Sequence, residues 1–328
     1  GACKGAKSSQ ELWINNVRTI IYTGGDMWWD LFGSGNAFYI IPATQDKSNG
    51  ISSNFAGSIW IGGLDGGGQL KVAAMTYRQT GYDFWPGPLD PATASTDETV
   101  CNEYDKIFIM TRKEVEEHVF NGVTSDAIKN WPGNGIKNDR PNLAPFFDVD
   151  GGGFYDPSEG DYPYYDIYNK AEKDNLGVCK AKLFGDATLW WVFNDKGDVH
   201  TETGGQSIGL EIRAQAFGFK TNDDINNMTF YNYEVVNRST FALNKTYFTV
   251  WTDADLGNYV DDYVGCDIKK GLGFIYNSDG DDQDLSGALG YGEFPAALGC
   301  DFFKGPLADV GDGVDNDFDG TTDELGET

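Results

Sequence analysis

Thr188-Leu189-Trp190-Trp191-Val192-Phe193 and Leu210-Glu211-Ile212-Arg213-Ala214-Gln215-Ala216-Phe217-Gly218-Phe219 are the runs that decide the fold class. Both are dense in aromatic and aliphatic residues and are bounded by Gly, Asp and Asn, the signature of strands. Working outward, residues 228–237 and 245–252 read the same way. Phe230-Tyr231-Asn232-Tyr233-Glu234-Val235-Val236 partly alternates, as a half-buried antiparallel strand does. Upstream, Val17-Arg18-Thr19-Ile20-Ile21-Tyr22 stops at Gly24-Gly25, and Ala37-Phe38-Tyr39-Ile40-Ile41 stops at Pro42. Ser58-Ile59-Trp60-Ile61, a glycine-rich loop over 62–68 and residues 69–77 form a long-looped hairpin.

Helix signals are few. Thr111-Arg112-Lys113-Glu114 has the Thr-x-x-Glu pattern of a capping box, and Val115 and Val119 follow at i and i+4. The spacing predicts two to three turns after Thr111, with a shorter helix over 126–130 before Trp131-Pro132. Residues 121–182 are rich in Pro, Gly, Asn and Asp, yet keep Phe146, Phe147, Tyr155, Tyr162, Tyr164 and Tyr165. They read as long ordered loops. The expected fold is mainly β: an antiparallel β-sandwich with long ordered loops, one or two short helices and calcium-binding Asp-rich loops. Residues 1–308 form the β-rich unit, divisible into packed β subdomains at about 1–100 and 176–308 around a loop and helix insertion at 101–175. Residues 309–328 read as an Asp-rich junction to further domains.

Composition narrows the function classes. The 328 residues carry 24 Lys plus Arg against 51 Asp plus Glu, a formal net charge of −27. Phosphate contacts need clustered Lys and Arg, so a nucleic-acid partner is excluded, as is an anionic membrane surface. Nine Trp, 17 Tyr and 21 Phe argue against a disordered acidic chain. No apolar run is long enough to span a bilayer. The chain opens Gly-Ala-Cys-Lys, without Met, as a mature chain with its signal removed or a fragment would. No Cys-x-x-Cys pair exists among Cys3, Cys101, Cys179, Cys266 and Cys300, so a zinc ribbon is not expected. Scattered cysteines in such a chain suit an extracellular protein. Of the pairings open to them, Cys101–Cys179 and Cys266–Cys300 are the disulfide candidates, with Cys3 left over; buried free thiols are the alternative.

The acids cluster. Nine lie between 253 and 284 and nine more between 301 and 327. Oxygen-only groups without His or Cys select hard cations, calcium above all. Asp315-Asn316-Asp317-Phe318-Asp319-Gly320 begins like a calcium loop, with Thr321 offering a carbonyl and Asp323 or Glu324 a further carboxylate. The acid usual at position 12 is absent, since Gly326 stands there. A second loop holds Asp148, Asp150 and Asp156 among Gly151, Gly152 and Gly153, with Glu159 and Asp161 in reach. A third has Asp253 and Asp255 directly after a strand and Asp261, Asp262 and Asp267 on the returning segment. The competing reading of that third loop is a paired-carboxylate glycosidase site. The adjacent pairs Trp28-Trp29 and Trp190-Trp191, if on strands, send one ring to each side, so one of each pair could contact a glycan. P-loop and His-Glu-x-x-His motifs are absent, and no catalytic residue stands out.

Several long segments resemble a family. They include Gly24-Gly25-Asp26-Met27-Trp28-Trp29-Asp30, Phe55-Ala56-Gly57-Ser58-Ile59-Trp60-Ile61-Gly62-Gly63, Phe84-Trp85-Pro86-Gly87-Pro88-Leu89, Gly160-Asp161-Tyr162-Pro163-Tyr164-Tyr165-Asp166 and Leu189-Trp190-Trp191-Val192-Phe193-Asn194-Asp195. With the acidic segments 253–267 and 312–324, the chain resembles the N-terminal region of large, mostly uncharacterised surface proteins of Bacteroidetes-type bacteria. The resemblance implies export by the type IX route and a cell-surface location, and transfers no catalytic set. The expected function is that of a secreted, calcium-stabilised structural or adhesion protein, self-assembling into a layer or filament or meeting other surface proteins or glycans. The rival is a carbohydrate-binding or carbohydrate-degrading module, which needs exposed Trp beside paired carboxylates. Residues 1–12 could serve as an arm passed between subunits.

Overall fold

The structure, a computed structural model, describes residues 2–173, 177, 179–285, 287–305, 311, 313 and 320–322. It divides into two compact units, Gly1–Tyr165 with Lys182–Asp253, and Asp166–Ala181 with Ala254–Thr328.

The larger unit is an antiparallel sandwich. Its first layer contains β1 (Ser9–Leu12), β2 (Arg18–Tyr22) and β3 (Tyr39–Ile40), paired in that order, and β4 (Ala56–Leu64) and β5 (Leu70–Ala73). Single bridges from Met27 to Ile21 and to Gly57 join these two groups. The second layer is assembled from β6 (Trp85–Pro86), β7 (Phe108–Thr111), β10 (Ala187–Asn194), β11 (Leu210–Gly218) and β12 (Phe230–Asn237), while β13 (Asn244–Asp253) returns to pair with β4 in the first. A small hairpin, β8 (Phe146–Phe147) with β9 (Tyr162–Pro163), lies outside both layers. Strands from 1–100 and from 187–253 therefore share sheets, β10 with β6 and β13 with β4. The expected division into β subdomains at 1–100 and 176–308 does not hold.

Strand periodicity explains the core. Leu189, Trp191 and Phe193 of β10 and Ile212, Ala214 and Ala216 of β11 face Ile21, Met27, Ile59 and Ile61 of the other layer. Trp190 points the other way and is still buried, with Phe108 and Trp131 at 5.9 Å between ring centroids. The segment read as an insertion thus adds β7 to the sheet beside β10 and supplies Trp131 to the outer face. Burying one Trp removes roughly 150–250 Å² from water, about 4–6 kcal/mol before ordering costs.

The helices expected after Thr111 and over 126–130 form, and among the described residues a third, not expected, precedes them. In α1 (Glu98–Glu103), Asp97 accepts from the N–H of Thr99 and Val100. In α2 (Arg112–Asn121), Thr111 Oγ1 accepts from Glu114 N–H at 3.1 Å, the Glu114 carboxylate accepts from Thr111 N–H, and Gly122 ends the helix at φ 68. In α3 (Asp126–Lys129), the cap is Ser125. Pro86 takes part in pairing; it lies in a two-residue edge segment opposite Phe193, where a missing N–H is tolerated.

The disulfide joins Cys3 to Cys101, Cα–Cα 5.8 Å. That overturns Cys101–Cys179; Cys179 is an exposed free thiol. Residues 3–12 are correspondingly fastened to their own chain, by this bond and by β1 pairing with β2, rather than left as a free arm.

In the smaller unit, β14 (Asp262–Asp267), β15 (Leu272–Asn277) and β18 (Leu298–Asp301) form a three-stranded antiparallel sheet, and β16 (Asp281–Asp282) pairs with β17 (Gly292–Glu293). Cys266 is opposite Gly273, and Gly273 is opposite Cys300. The two cysteines are two strand spacings apart, about 9–10 Å. A disulfide needs Cα atoms closer than about 7 Å, so Cys266–Cys300 does not form. Among the described residues, no helix is long and apolar enough to cross a membrane.

Candidate metal centre

The loop between β8 and β9 gathers three carboxylates. Stacking of Phe147 on Tyr162, at 5.1 Å and 12°, closes its base. Asp148 and Asp150 leave β8 at a spacing of two, and glycines let the backbone curl around them. Gly151 and Gly153 sit at φ 76 and 78, where other residues are strained. Asp148 accepts from the N–H groups of Gly151 (2.9 Å), Gly152 (3.1 Å) and Gly153 (2.8 Å). These donors, Gly153 first, hold its carboxyl below the usual aspartate range. Asp150 accepts from Gly152 N–H at 2.8 Å.

The third member is Asp161, fully buried directly before β9. Its two oxygens accept from the N–H groups of Val149 and Asp156, at 2.8 and 2.9 Å. The buried His118 of α2 donates from Nε2 to the Asp161 carbonyl at 3.1 Å, while Nδ1 pairs with the Thr124 hydroxyl at 2.9 Å. The loop is therefore pinned to the helix that the capping box starts. One oxygen from each of Asp148, Asp150 and Asp161 lies within 4.8 Å of the others. Three such oxygens, without nitrogen or sulfur, suit a hard cation. Asp156 is not part of the group; it turns to Ser158, accepting from its N–H (2.9 Å) and hydroxyl (2.6 Å).

The third Asp-rich segment falls in both units. Asp253 ends β13 in the larger unit, where Oδ2 accepts from the Tyr77 hydroxyl at 2.5 Å. The others belong to the smaller unit. There Asp255 offers its carbonyl to Gly257 N–H at 3.1 Å. Asp267 pairs with Lys270 at 3.8 Å, at the opposite end of β14 from Asp262. Asp261 and Asp262 stay together and acquire a partner that sequence reading missed, Asp282. Asp262 Oδ2 accepts from Leu256 N–H at 2.9 Å. Asp282 accepts from Asn258 and Tyr291 N–H, at 3.1 and 2.6 Å. Burial, followed by the nearby charges of Asp282 and Asp261, pushes Asp262 up to about 6. Burial likewise raises Asp282. The only signal for Asp282 was the acid density of Asp279-Gly280-Asp281-Asp282.

The Asp315, Asp317, Asp319, Asp323 and Glu324 ligand set lies outside the described residues; of that loop, Gly320 and Thr321 are described.

Trp28, Trp29, Trp190 and Trp191 are 4%, 6%, 1% and 0% exposed. Trp28 Nε1 donates to the Tyr231 hydroxyl at 2.7 Å, and Trp29 packs on Phe55 and Tyr77. None of the four forms a platform that a sugar ring could reach, which removes the expected glycan contacts. Comparison of the chain with protein-family models, with curated proteins and with solved structures finds no match.

Proposed function

We propose that this chain is a secreted, calcium-stabilised component of a bacterial cell surface, structural or adhesive, self-associating or meeting other surface molecules. The observation that carries the calcium part is the Asp148–Asp150–Asp161 group, three carboxylate oxygens within 4.8 Å on a loop tied to the sandwich through His118. The net charge of −27 supports it, because binding a divalent cation relieves self-repulsion. The Cys3–Cys101 disulfide supports an oxidising compartment. The surface location rests on the family resemblance. Burial of the four tryptophans counts against the carbohydrate-binding alternative.

The test is thermal unfolding with calcium and with excess chelator, followed by metal analysis. A ligand at 100 times its Kd stabilises by about 2.7 kcal/mol, which for a domain of this size is a Tm rise of about 5–10 °C. A coincident melt in chelator, with no metal recovered, refutes the calcium reading. Sedimentation in the two conditions reads self-association.

A further inference from the structure

We propose that β14 is a self-association edge: a second copy of this chain adds its own β14 to it, antiparallel, across a two-fold axis. The inference rests on the self-association read above and names the strand and the partner.

The smaller unit lacks what a free-standing fold needs. Among its described residues, Leu256 and Ile275 are the only buried apolar side chains. The Cys3–Cys101 disulfide lies in the larger unit, and among the described residues no disulfide staples the smaller one. Units with so small a core are completed by disulfides, metals or oligomerisation.

The open side of β14 is where such completion can occur. The strand pairs with β15 on one side, and among the described residues nothing pairs with the other. The ladder fixes which backbone groups face outward. Ser278 N–H bonds to the Asp261 carbonyl at 2.8 Å, one step before Asp262 stands opposite Asn277. Antiparallel pairs alternate between hydrogen-bonded and non-hydrogen-bonded. Tyr263, Gly265 and Asp267 therefore turn their backbone groups to β15, and Asp262, Val264 and Cys266 turn theirs outward. Apolar surface is exposed beside them: Tyr263 by 57%, Val264 by 78% and Ile268, directly after the strand, by 84%. No proline or lysine lies within Asp262–Asp267 to guard it against pairing. At the edge of the larger unit, by contrast, β13 carries Lys245 and a break in register between Asn244 and Tyr247.

Charge selects the occupant. Asp261 and Asp262 stand at the start of β14, and Lys269 and Lys270 follow its end. Antiparallel pairing with a second copy brings the acids of each strand toward the lysines of the other, twice by symmetry, whereas parallel pairing would oppose like charges. The net charge of −27 works against any contact between copies, so a surface that joins them needs this local complementarity. A contact of this kind uses the same patch on both chains and closes at two copies.

Sedimentation velocity of the full chain over a concentration series tests this. Val264→Pro removes an outward N–H that β15 does not use, so the sheet keeps its own ladder while the edge loses a donor. The expected result is a concentration-dependent dimer that Val264→Pro weakens by about tenfold or more, the worth of two lost backbone hydrogen bonds. Val199→Lys, at an exposed site of the larger unit, leaves the dimer unchanged. Nitroxide labels at Cys266, in a chain carrying Cys179→Ser and Cys300→Ser, should couple to each other in the dimer. A dimer that persists in Val264→Pro, or a labelled dimer without spin coupling, overturns the proposal and leaves the self-association reading standing. A chain that stays monomeric overturns both. Should Val264→Pro fail to fold by circular dichroism, Val264→Lys places a charge on the same edge and provides the same comparison.

Discussion

Replacing Cys3 and Cys101 together by alanine should be the most damaging small change outside the sandwich core. Both residues are buried, packed with Trp85 and Tyr82, and they close a loop with a sequence separation of 98. In the chain-entropy treatment, cross-linking removes about 2.1 + 1.5R ln n cal/mol/K from the unfolded state. For this separation the term is about 4.7 kcal/mol at 25 °C. At about 2–4 °C per kcal/mol for a domain of this size, the double variant should melt about 10–20 °C lower. The assay is circular dichroism through thermal and urea unfolding, comparing the wild type, its reduced form and the double variant. Cys179→Ser, at an exposed free thiol, is the control and should leave the melt unchanged. A shift under about 1 kcal/mol, or mapping that finds Cys101 bonded elsewhere, would refute the reasoning.

Trp190→Ala removes the ring held between Phe108 and Trp131 and should destabilise the larger unit by about 3–5 kcal/mol, read in urea, with the remaining tryptophan fluorescence shifted to the red. The loop and helix caps predict acid sensitivity. The Thr93 hydroxyl lowers Asp90, and Val100 N–H lowers Asp97, below the ordinary value of 3.8. Because the folded values are depressed, the stabilisation is present above the unfolded value and is lost as pH falls through the folded ones. Asp97→Asn, which still caps but does not titrate, should flatten the loss of stability between about pH 4 and 2; an unaltered acid melt would refute this assignment.

How much of this was legible depended on whether the information was local. Strand runs such as 188–193 and 210–219 stand in the sequence because aromatic and β-branched residues fit a pleated, packed surface. The helix after Thr111 was legible because capping chemistry is local to four residues. The alternation rule correctly sent Trp190 and Trp191 to opposite sides. Both rings are buried all the same, and the reason is not local: Trp131, from elsewhere in the chain, packs on Trp190 beside its strand neighbour Phe108. The disulfide was misread for a similar reason: Cys3 reaches Cys101 because the N-terminal segment runs beside Gly197, with Cys3 N–H bonded to the Gly197 carbonyl at 3.0 Å. Spacing found Asp148 with Asp150, and Asp261 with Asp262, since each pair shares a loop. It could not rank Asp161 above Asp156, or supply Asp282, because the fold alone brings those carboxylates in.

The buried acids also divide by how their charge is met. In the sandwich, Asp26 pairs with Arg78, Glu211 with Arg213 and Arg238, and Asp83 and Asp195 flank His200 at 3.7 Å each. The buried Asp161 and Asp282 and the half-buried Asp262 have backbone N–H donors and, among the described residues, no side-chain cation. Hydrogen bonds lower the cost of burying a carboxylate but leave its net charge in place, and neighbouring carboxylates add their repulsion. The loops carrying these residues are therefore where a dissolved cation can most change stability, while the disulfide-bonded sandwich is least dependent on it. On that argument, chelation should open the 148–161 loop and the Asp262 hairpin before it unfolds the core. Hydrogen exchange would read this as early loss of protection at Val149 and Leu256, with β10 and β11 unchanged; simultaneous loss everywhere would contradict it.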